Sequence, residues 1–499
     1  MKKKPNIIFI HTDSWDGRAL GCMGHKSMKN ATPGVDALAK RGALFKNAYS
    51  SHPICCPSRA NMWSGKYTHR IESWNNHKGI DTDTPTFKDE LEKAGYLFAT
   101  KEPGQGGFGK HDYLSGNHTH LARVTAWTAT AGIELPVYDS SLQENFRVFS
   151  DTKNAHGHDW EQIEKAKEFM RQNKEADQPF FLYVGATSPH PPFNTSEYWL
   201  EKIDEDNVEI PPMDNTDHPV IKHQRITKSW KFGFDEKTVR QTRRAYFAKC
   251  SETDSMVAEL TKLMDELGLD ENTYFIFSSD HGELALEHQD WYKMSLYEGS
   301  VRIPLVIAGP GIEKGIEVDN IVSLIDLYPT FLDMAGLPPN SDLDGESILP
   351  LAQGKTKDSR DCAYACFTGS SINTTEYMLR KGPWKYIVYV NYPSQLFNME
   401  EDSDELNDLS KTEPEVVKEM DKALREIVDY EECHERCVKY CKESFIKWRE
   451  DAKAGKFSDS TYSRRNREPA TTYEDIMDNC YTGFSEEHEK QLQSWAPPR

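Results

Sequence analysis

The residues able to do chemistry in this chain fall just after apolar runs. Asp13 closes Asn6-Ile7-Ile8-Phe9-Ile10-His11-Thr12, Lys110 follows a glycine-rich turn, His190 follows residues 179–186, and Asp280 with His281 follows residues 273–279. Two aspartates offer the oxygen ligands that a hard divalent cation takes, with calcium and magnesium the leading choices. Arg59, Lys110 and Lys293 supply positive charge of the kind that holds an anionic group during its transfer. At an effective dielectric near 20, one charge pair about 4 Å apart is worth roughly 4 kcal/mol. His190 stands in Ser188-Pro189-His190-Pro191-Pro192-Phe193, where the prolines restrict the backbone and fix the direction of the side chain. Cys55-Cys56-Pro57-Ser58-Arg59 follows the apolar run at residues 43–49. Taken alone, its adjacent cysteines read as a buried, reduced pair at a turn.

These positions need a common scaffold. Residues 5–13 read as a continuous apolar strand, the pattern of a parallel strand covered on both faces. A helix over 32–42 with proline near its start and glycine at its end leads to a strand over 43–49. A helix over 86–94 and a strand over 95–100 precede Gly107-Phe108-Gly109-Lys110-His111-Asp112-Tyr113. A helix over 160–174 precedes the strand at 179–186, and a long amphipathic helix over 238–268 precedes the strand at 273–279. Strands alternating with helices predict an α/β fold with one large, mainly parallel sheet flanked by helices. In such sheets ligands collect at the carboxyl ends of the strands, where the candidate residues fall.

From residue 376 the pattern changes to short runs separated by glycine and proline, which predicts a smaller antiparallel sheet. The expected organisation is therefore a catalytic α/β domain over 1–360 and a C-terminal subdomain over 361–499, with helices over 413–454 and a polar tail of little pattern. Residues 204–236, with Lys222, His223, Arg225, Lys228 and Lys231, read as a polar surface loop, with a lid as the alternative. Cys433, Cys437 and Cys441 share one helix face and read as buried packing, with a metal site as the alternative.

The formal charge of -20 argues against a nucleic-acid partner and against a long polyanion lying on the surface. A small anion in a locally positive pocket is compatible with it. Hydrophobic residues make up 37% of the chain, and no apolar run approaches the roughly 20 residues of a membrane span, so no membrane insertion is expected. Ten cysteines without a dense framework read as reduced thiols. Met1-Lys2-Lys3-Lys4-Pro5 runs directly into a strand without an apolar signal core, so the expected location is cytoplasmic.

Cys55-Cys56-Pro57-Ser58-Arg59, continuing through Ala60-Asn61-Met62-Trp63-Ser64-Gly65-Lys66, resembles the signature of the type I sulfatases. The resemblance implies an alkaline-phosphatase-like sandwich and a sulfuric ester hydrolase in which Cys55 is oxidised to formylglycine by a formylglycine-generating enzyme. It implies a metal, usually calcium with magnesium or manganese as alternatives, held by Asp13, residue 55, Asp280 and His281, with Ser14 as a weak ligand. Arg59, Lys110 and Lys293 then add positive charge at the sulfuryl group, Lys110, His190 and Lys293 bind the substrate, Lys293 or His190 protonates the departing alcohol, and either His111 or Asp112 serves as base. Two positions depart from the common family pattern: Ser14 stands where most members carry a second aspartate, and Asp112 where many carry a histidine. Both belong to a subgroup pattern that includes Asp13-Ser14-Trp15-Asp16-Gly17-Arg18, Glu72-Ser73-Trp74-Asn75-Asn76 and Ser279-Asp280-His281-Gly282-Glu283-Leu284-Ala285.

That pattern implies an exo-acting enzyme that removes a 2-O-sulfate from a terminal uronic acid of a small sulfated saccharide. Lys78, Arg123 and His69 are candidates for the uronate carboxylate, with surface or packing roles as the alternative. The rival readings are a phosphonate monoester or phosphodiester hydrolase of the same superfamily, and a non-catalytic anion-binding relative with unconverted Cys55. A two-zinc phosphatase calls for more His and Asp ligands than the strand ends provide.

Overall fold

The computed structural model describes residues 3–99, 107–114, 122–137, 146–149, 152–228, 235–456 and 472–497. Its strands are β1 (Asn6–Asp13), β2 (Ala43–Tyr49), β3 (Leu97–Phe98), β4 (Phe108–Gly109), β5 (Phe146–Phe149), β6 (Phe180–Pro189), β7 (Phe193–Ser196) and β8 (Thr273–Ser279). They continue with β9 (Arg302–Ile303), β10 (Leu305–Ala308), β11 (Ile316–Ser323), β12 (Cys362–Phe367), β13 (Glu376–Lys381), β14 (Trp384–Tyr389) and β15 (Gln395–Asn398). The large sheet runs β11-β2-β10-β8-β1-β6-β3, with β4 also on β6 and β9 also on β2. Only β9 and β10 run against the others.

The central strands are apolar throughout because both faces of the sheet are covered. Ile8 and Ile10 of β1, Phe275 and Phe277 of β8, and Leu182 and Val184 of β6 enter one core. The alternate residues Ile7, Phe9, Tyr274, Ile276, Phe181 and Tyr183 enter the other. This is the period of two applied to a sheet without a wet face. Helices Pro33–Lys40, Gly157–Asn173 and Glu236–Glu266 supply residues to the first core, and Cys55–Ser64, Phe87–Lys93 and Leu327–Met334 to the second. Because β1, β2, β4, β6 and β8 are co-directional, their carboxyl ends share one edge.

The second sheet is antiparallel in the order β12-β13-β14-β15. Its first strand precedes the region where the sequence pattern changed. It docks on the large sheet, with Ala363, Ala365, Phe367 and Met378 packed together with Tyr49, Ile54 and Leu284.

Three sequence expectations are corrected. Residues 95–100 reduce to the two-residue strand β3, within residues 95–99 that are described. The described part of 204–236 is not a polar surface loop: it contains helix Pro219–Thr227, and His223, Gln224 and Lys228 are buried. Lys231 lies outside the described residues. The polar tail contains helices Tyr473–Cys480 and Glu486–Trp495, whose Ile476, Met477, Cys480 and Leu492 close a core with helix Tyr430–Lys453. Cys433, Cys437 and Cys441 are buried in that core, as the packing reading expects. No described helix is long and apolar enough to cross a membrane.

Candidate active site

The shared edge brings the strand-end residues together. Asp13, Cys55, Asp280 and His281 are buried, and one donor atom from each lies within 4.8 Å of all the others. Cys55 Sγ is 3.4 Å from His281 Nε2 and 3.9 Å from Asp13 Oδ1. Asp13 pairs through Oδ2 with Lys110 Nζ, which is also 3.7 Å from Asp112. Burial alone would raise the Asp13 carboxyl, but Lys110, His190, Lys293 and His281 outweigh it and hold it well below the usual carboxylate range. The same pairing raises Lys110 against the downward effect of its own burial.

Local structure explains each placement. Cys55 is the first residue of helix Cys55–Ser64, whose N-terminus carries partial positive charge and unpaired N–H groups. Pro57 sits in the first turn, where a missing N–H costs no intrahelical bond. Cys56 N–H donates to Asn76 Oδ1 at 3.0 Å, and Ser58 Oγ donates to the backbone oxygen of Asp280, tying the helix to the end of β8. Burial, with Asp13 adding to it, pushes the Cys55 thiol up to about 11, so the unconverted side chain is a protonated thiol near neutral pH.

Arg59 lies beneath the cluster rather than facing an incoming anion. Its side chain is 0% exposed. Nε donates to Asp280 Oδ2 at 2.9 Å, Nη1 to the Lys110 backbone oxygen and to Tyr183 Oη, each at 2.9 Å, and Nη2 to the Thr12 oxygen at 3.3 Å. The guanidinium is a strut joining β1, β6, β8 and the Lys110 turn, and its positive charge stands against Asp280 within the cluster. Ser14 is also a strut in this arrangement. It adopts φ +67°, its hydroxyl donates to Asp13 Oδ1 at 2.9 Å, and its N–H donates to Asp280 Oδ1 at 3.3 Å.

His281 Nδ1–H donates to the Gly282 oxygen at 2.9 Å, which leaves the Nε2 lone pair facing the cluster. Two carboxylates, that nitrogen and residue 55 form a donor set suited to a divalent cation. The surrounding cations keep the Asp13 carboxylate ionised and ready to bind it. His190 Nδ1–H likewise donates to the Pro191 oxygen. Burial, then the Lys293 and Lys110 ammoniums, hold His190 well below its ordinary value, so its imidazole is neutral near pH 7. Lys293 is buried, and its charge acts on Asp13, Cys55, His190 and His281. His111 Nδ1 is turned back to the Gly109 oxygen at 3.0 Å, whereas Asp112 faces Lys110.

Two of the three uronate candidates, Lys78 and His69, do not join this cluster. Lys78 is 3.1 Å from Glu72 and lies over the Tyr440 ring, and His69 packs against Tyr67 and Tyr364. The side chain of Arg123 lies outside the described residues.

Sequence reasoning missed a set of supports on helix Glu236–Glu266. Arg243 Nη1 donates to the Ala285 oxygen at 2.7 Å, Tyr246 Oη donates to the Ser14 oxygen at 3.0 Å, and Lys249 Nζ donates to the His190 and Pro192 oxygens at 2.6 and 2.8 Å. The available signal was two cationic residues in the apolar stripe of an amphipathic helix. Buried Tyr183, bonded to Arg59 and 2.9 Å from His11 Nδ1, carried no comparable signal.

Comparison with known proteins agrees with this geometry. The family described as "Sulfatase" matches residues 5–337, and "N-sulphoglucosamine sulphohydrolase, C-terminal" matches residues 286–430. Arylsulfatase K of Homo sapiens is 39% identical over 477 residues, covering 90% of this chain and 87% of that protein. Arylsulfatase K of Danio rerio is 37% identical over 476 residues, covering 90% and 88%. Among solved structures, a phosphonate monoester hydrolase of Agrobacterium radiobacter superposes with TM-score 0.66 at 22% identity, covering 85% of this chain and 95% of that one. A 2-O GAG sulfatase superposes with TM-score 0.67 at 21% identity, covering 85% and 91%. The two structural likenesses carry the fold, an alkaline-phosphatase-like sandwich, while the family match and the relatives' identity over nine tenths of the chain carry the membership: the chain belongs to the sulfatase family of sulfuric ester hydrolases.

Proposed function

We propose that this sulfatase removes a 2-O-sulfate from the terminal uronic acid of a small sulfated saccharide, with Cys55 matured to formylglycine by a formylglycine-generating enzyme. The observation that carries the catalytic reading is the convergence of Asp13, residue 55, Asp280 and His281 on one point, with Lys110 against Asp13. The substrate class rests on similarity to arylsulfatase K and on the subgroup motifs around Ser14 and Asp112.

Asp13, Asp280, His281 and residue 55 hold a divalent cation, calcium in this proposal, with magnesium or manganese as the alternatives. A bound cation supplies Lewis acidity at a sulfate oxygen and stabilises negative charge on residue 55. Converted residue 55 supplies a geminal diol: one oxygen, its proton released to water, takes the sulfuryl group, the other expels sulfate as the carbonyl re-forms, and water adds to the carbonyl to restore the diol. Lys110 and the N-terminus of helix Cys55–Ser64 bind the anionic oxygens. As the ester S–O bond breaks, the Lys293 ammonium gives its proton to the departing alcohol. Neutral His190 does not carry that proton and orients the ester oxygen. Asp112, beside Lys110 and partly exposed, takes the proton of the second hydroxyl, with His111 as the alternative base.

Intact mass tests maturation, because formylglycine is about 18 Da lighter than cysteine. A panel of defined sulfated mono- and disaccharides, read by released sulfate, tests the substrate. Activity on other sulfated sugars with none on 2-O-sulfated uronates overturns the substrate assignment. Faster cleavage of aryl phosphonate than of aryl sulfate favours the phosphonate hydrolase reading. Full activity in Cys55→Ala overturns the mechanism.

A further inference from the structure

The loop that carries Lys293 cannot hold its shape through its own backbone preferences. Between residues 285 and 294, six non-glycine residues have left-handed φ: Ala285, Leu286, His288, Gln289, Tyr292 and Met294, at +45° to +75°. Such values are uncommon for side-chain-bearing residues and persist only where surrounding structure enforces them. Lys293 lies between the last two.

The enforcing contacts come from the segment that reads in sequence as a surface loop. Gln224 Nε2 donates to the Met294 oxygen, and Arg225 Nη2 donates to the His288 oxygen at 3.0 Å. Lys228 is fully buried, and its ammonium meets three acceptors spread across the loop: Asp290 Oδ2 at 2.9 Å, the Trp291 oxygen at 3.0 Å and the Lys293 oxygen at 2.7 Å. Those three acceptors match the three protons of an ammonium. In return, Trp291 Nε1–H donates to the Lys228 backbone oxygen at 2.9 Å. Glu283 and Glu376 also act on Lys228, and each has a buried carboxylate oxygen without a hydrogen-bond partner. The ammonium is therefore geometrically saturated, and Asp290, Glu283 and Glu376 offset the burial that lowers Lys228.

We propose that Lys228 is a positioning residue for Lys293: it touches no reacting atom, and it sets the backbone from which the Lys293 ammonium reaches the departing oxygen. The inference rests on the proposed role of Lys293 as proton donor.

The test compares an alkyl or sugar sulfate, whose leaving oxygen needs a proton, with p-nitrophenyl sulfate, whose leaving group departs unprotonated. In the full-length matured protein, Lys293→Met lowers kcat for the alkyl sulfate far more than for the aryl sulfate. Lys228→Met shows the same leaving-group bias, with kcat for the alkyl ester down about 10- to 100-fold and KM changed less than about threefold, as expected when a transition-state interaction is lost. The double variant Lys228→Met/Lys293→Met is no slower than Lys293→Met, because both changes remove one interaction. Lys228→Met/Asp290→Asn removes the buried pair together, so a folding defect from an unpaired Asp290 does not mask the result.

If Lys293→Met shows no leaving-group bias, the donor assignment itself fails. If it shows the bias and folded Lys228→Met does not, the positioning role is overturned. Equal loss on both esters, or failure of both Lys228 variants to fold, assigns Lys228 to the fold alone and also overturns the proposal.

Discussion

Replacing Arg59 by lysine keeps the positive charge under the cluster and removes the planar fork. The guanidinium reaches four acceptors on different sides: Asp280 Oδ2, the Lys110 oxygen, Tyr183 Oη and the Thr12 oxygen. A lysine nitrogen on a flexible stem can meet Asp280 but not all four, because they are arranged around a plane. At least two hydrogen bonds are then lost, but the Lys110 oxygen keeps Tyr183 Oη and the Thr12 oxygen keeps the Asp280 N–H as donors, so each loss is worth about 0.5–1.5 kcal/mol and Arg59→Lys costs roughly 1–3 kcal/mol. Arg59→Met also leaves Asp280 without its buried counter-charge, a loss of about 3–5 kcal/mol for the broken pair alone. Urea unfolding with added calcium gives the stability differences, and kcat/KM for an aryl sulfate reports whether the strand ends stay in register. The expected order of stability is wild type, then Arg59→Lys, then Arg59→Met, with both variants slower. Arg59→Lys within about 0.5 kcal/mol and twofold in kcat/KM of wild type would refute the strut assignment, since it would show that charge alone is what residue 59 supplies.

Three further outcomes follow from the geometry. Ser14→Asp places a third carboxylate beside Asp13 and Asp280; by calorimetric titration it binds calcium more tightly, and in chelator it unfolds at lower urea than wild type, because the carboxylates then repel without a cation between them. Asp13→Asn lowers metal affinity and turnover together, whereas the same substitution at Asp112 leaves bound metal, read by elemental analysis, unchanged while turnover falls. Lys249 tests pH linkage. Burial, opposed by Asp159 and Glu252, lowers it to about 8, below its unfolded value near 10.5. Between those values the unfolded chain binds more protons than the native one, so unfolding free energy rises with pH, and the buried-charge penalty of about 3 kcal/mol present below pH 8 is progressively relieved. The stability of wild type relative to Lys249→Met therefore increases by about 2–3 kcal/mol from pH 7 to pH 10. A flat difference rules the linkage out.

Much of the site was legible before any coordinates because it is built from strand ends. Asp13, Asp280 and His281 follow unbroken apolar runs, which only a sheet covered on both faces buries completely, and the residues after such runs share an edge when the strands are parallel. The pentapeptide at Cys55 was legible through its family resemblance, and Pro57 and Ser58 fit it for local reasons: a first-turn proline and a hydroxyl tied to the neighbouring strand end. The tail helices were missed because their outward faces are polar and their buried residues, such as Met477 and Leu492, are too sparse to show a period without the partner helix.

The order of residue types along the chain determined the sheet, its reactive edge and the identity of the groups gathered there, since burial period and strand-end position are local properties. Only the tertiary structure decided that Arg59 is a strut, that Lys228 grips the Lys293 loop and that Lys249 holds the His190 loop. Each of those roles depends on which backbone oxygens stand within about 3 Å of a buried cation. Those oxygens belong to elements far away in the chain, and a cationic side chain looks the same in sequence whether water or a carbonyl receives its protons.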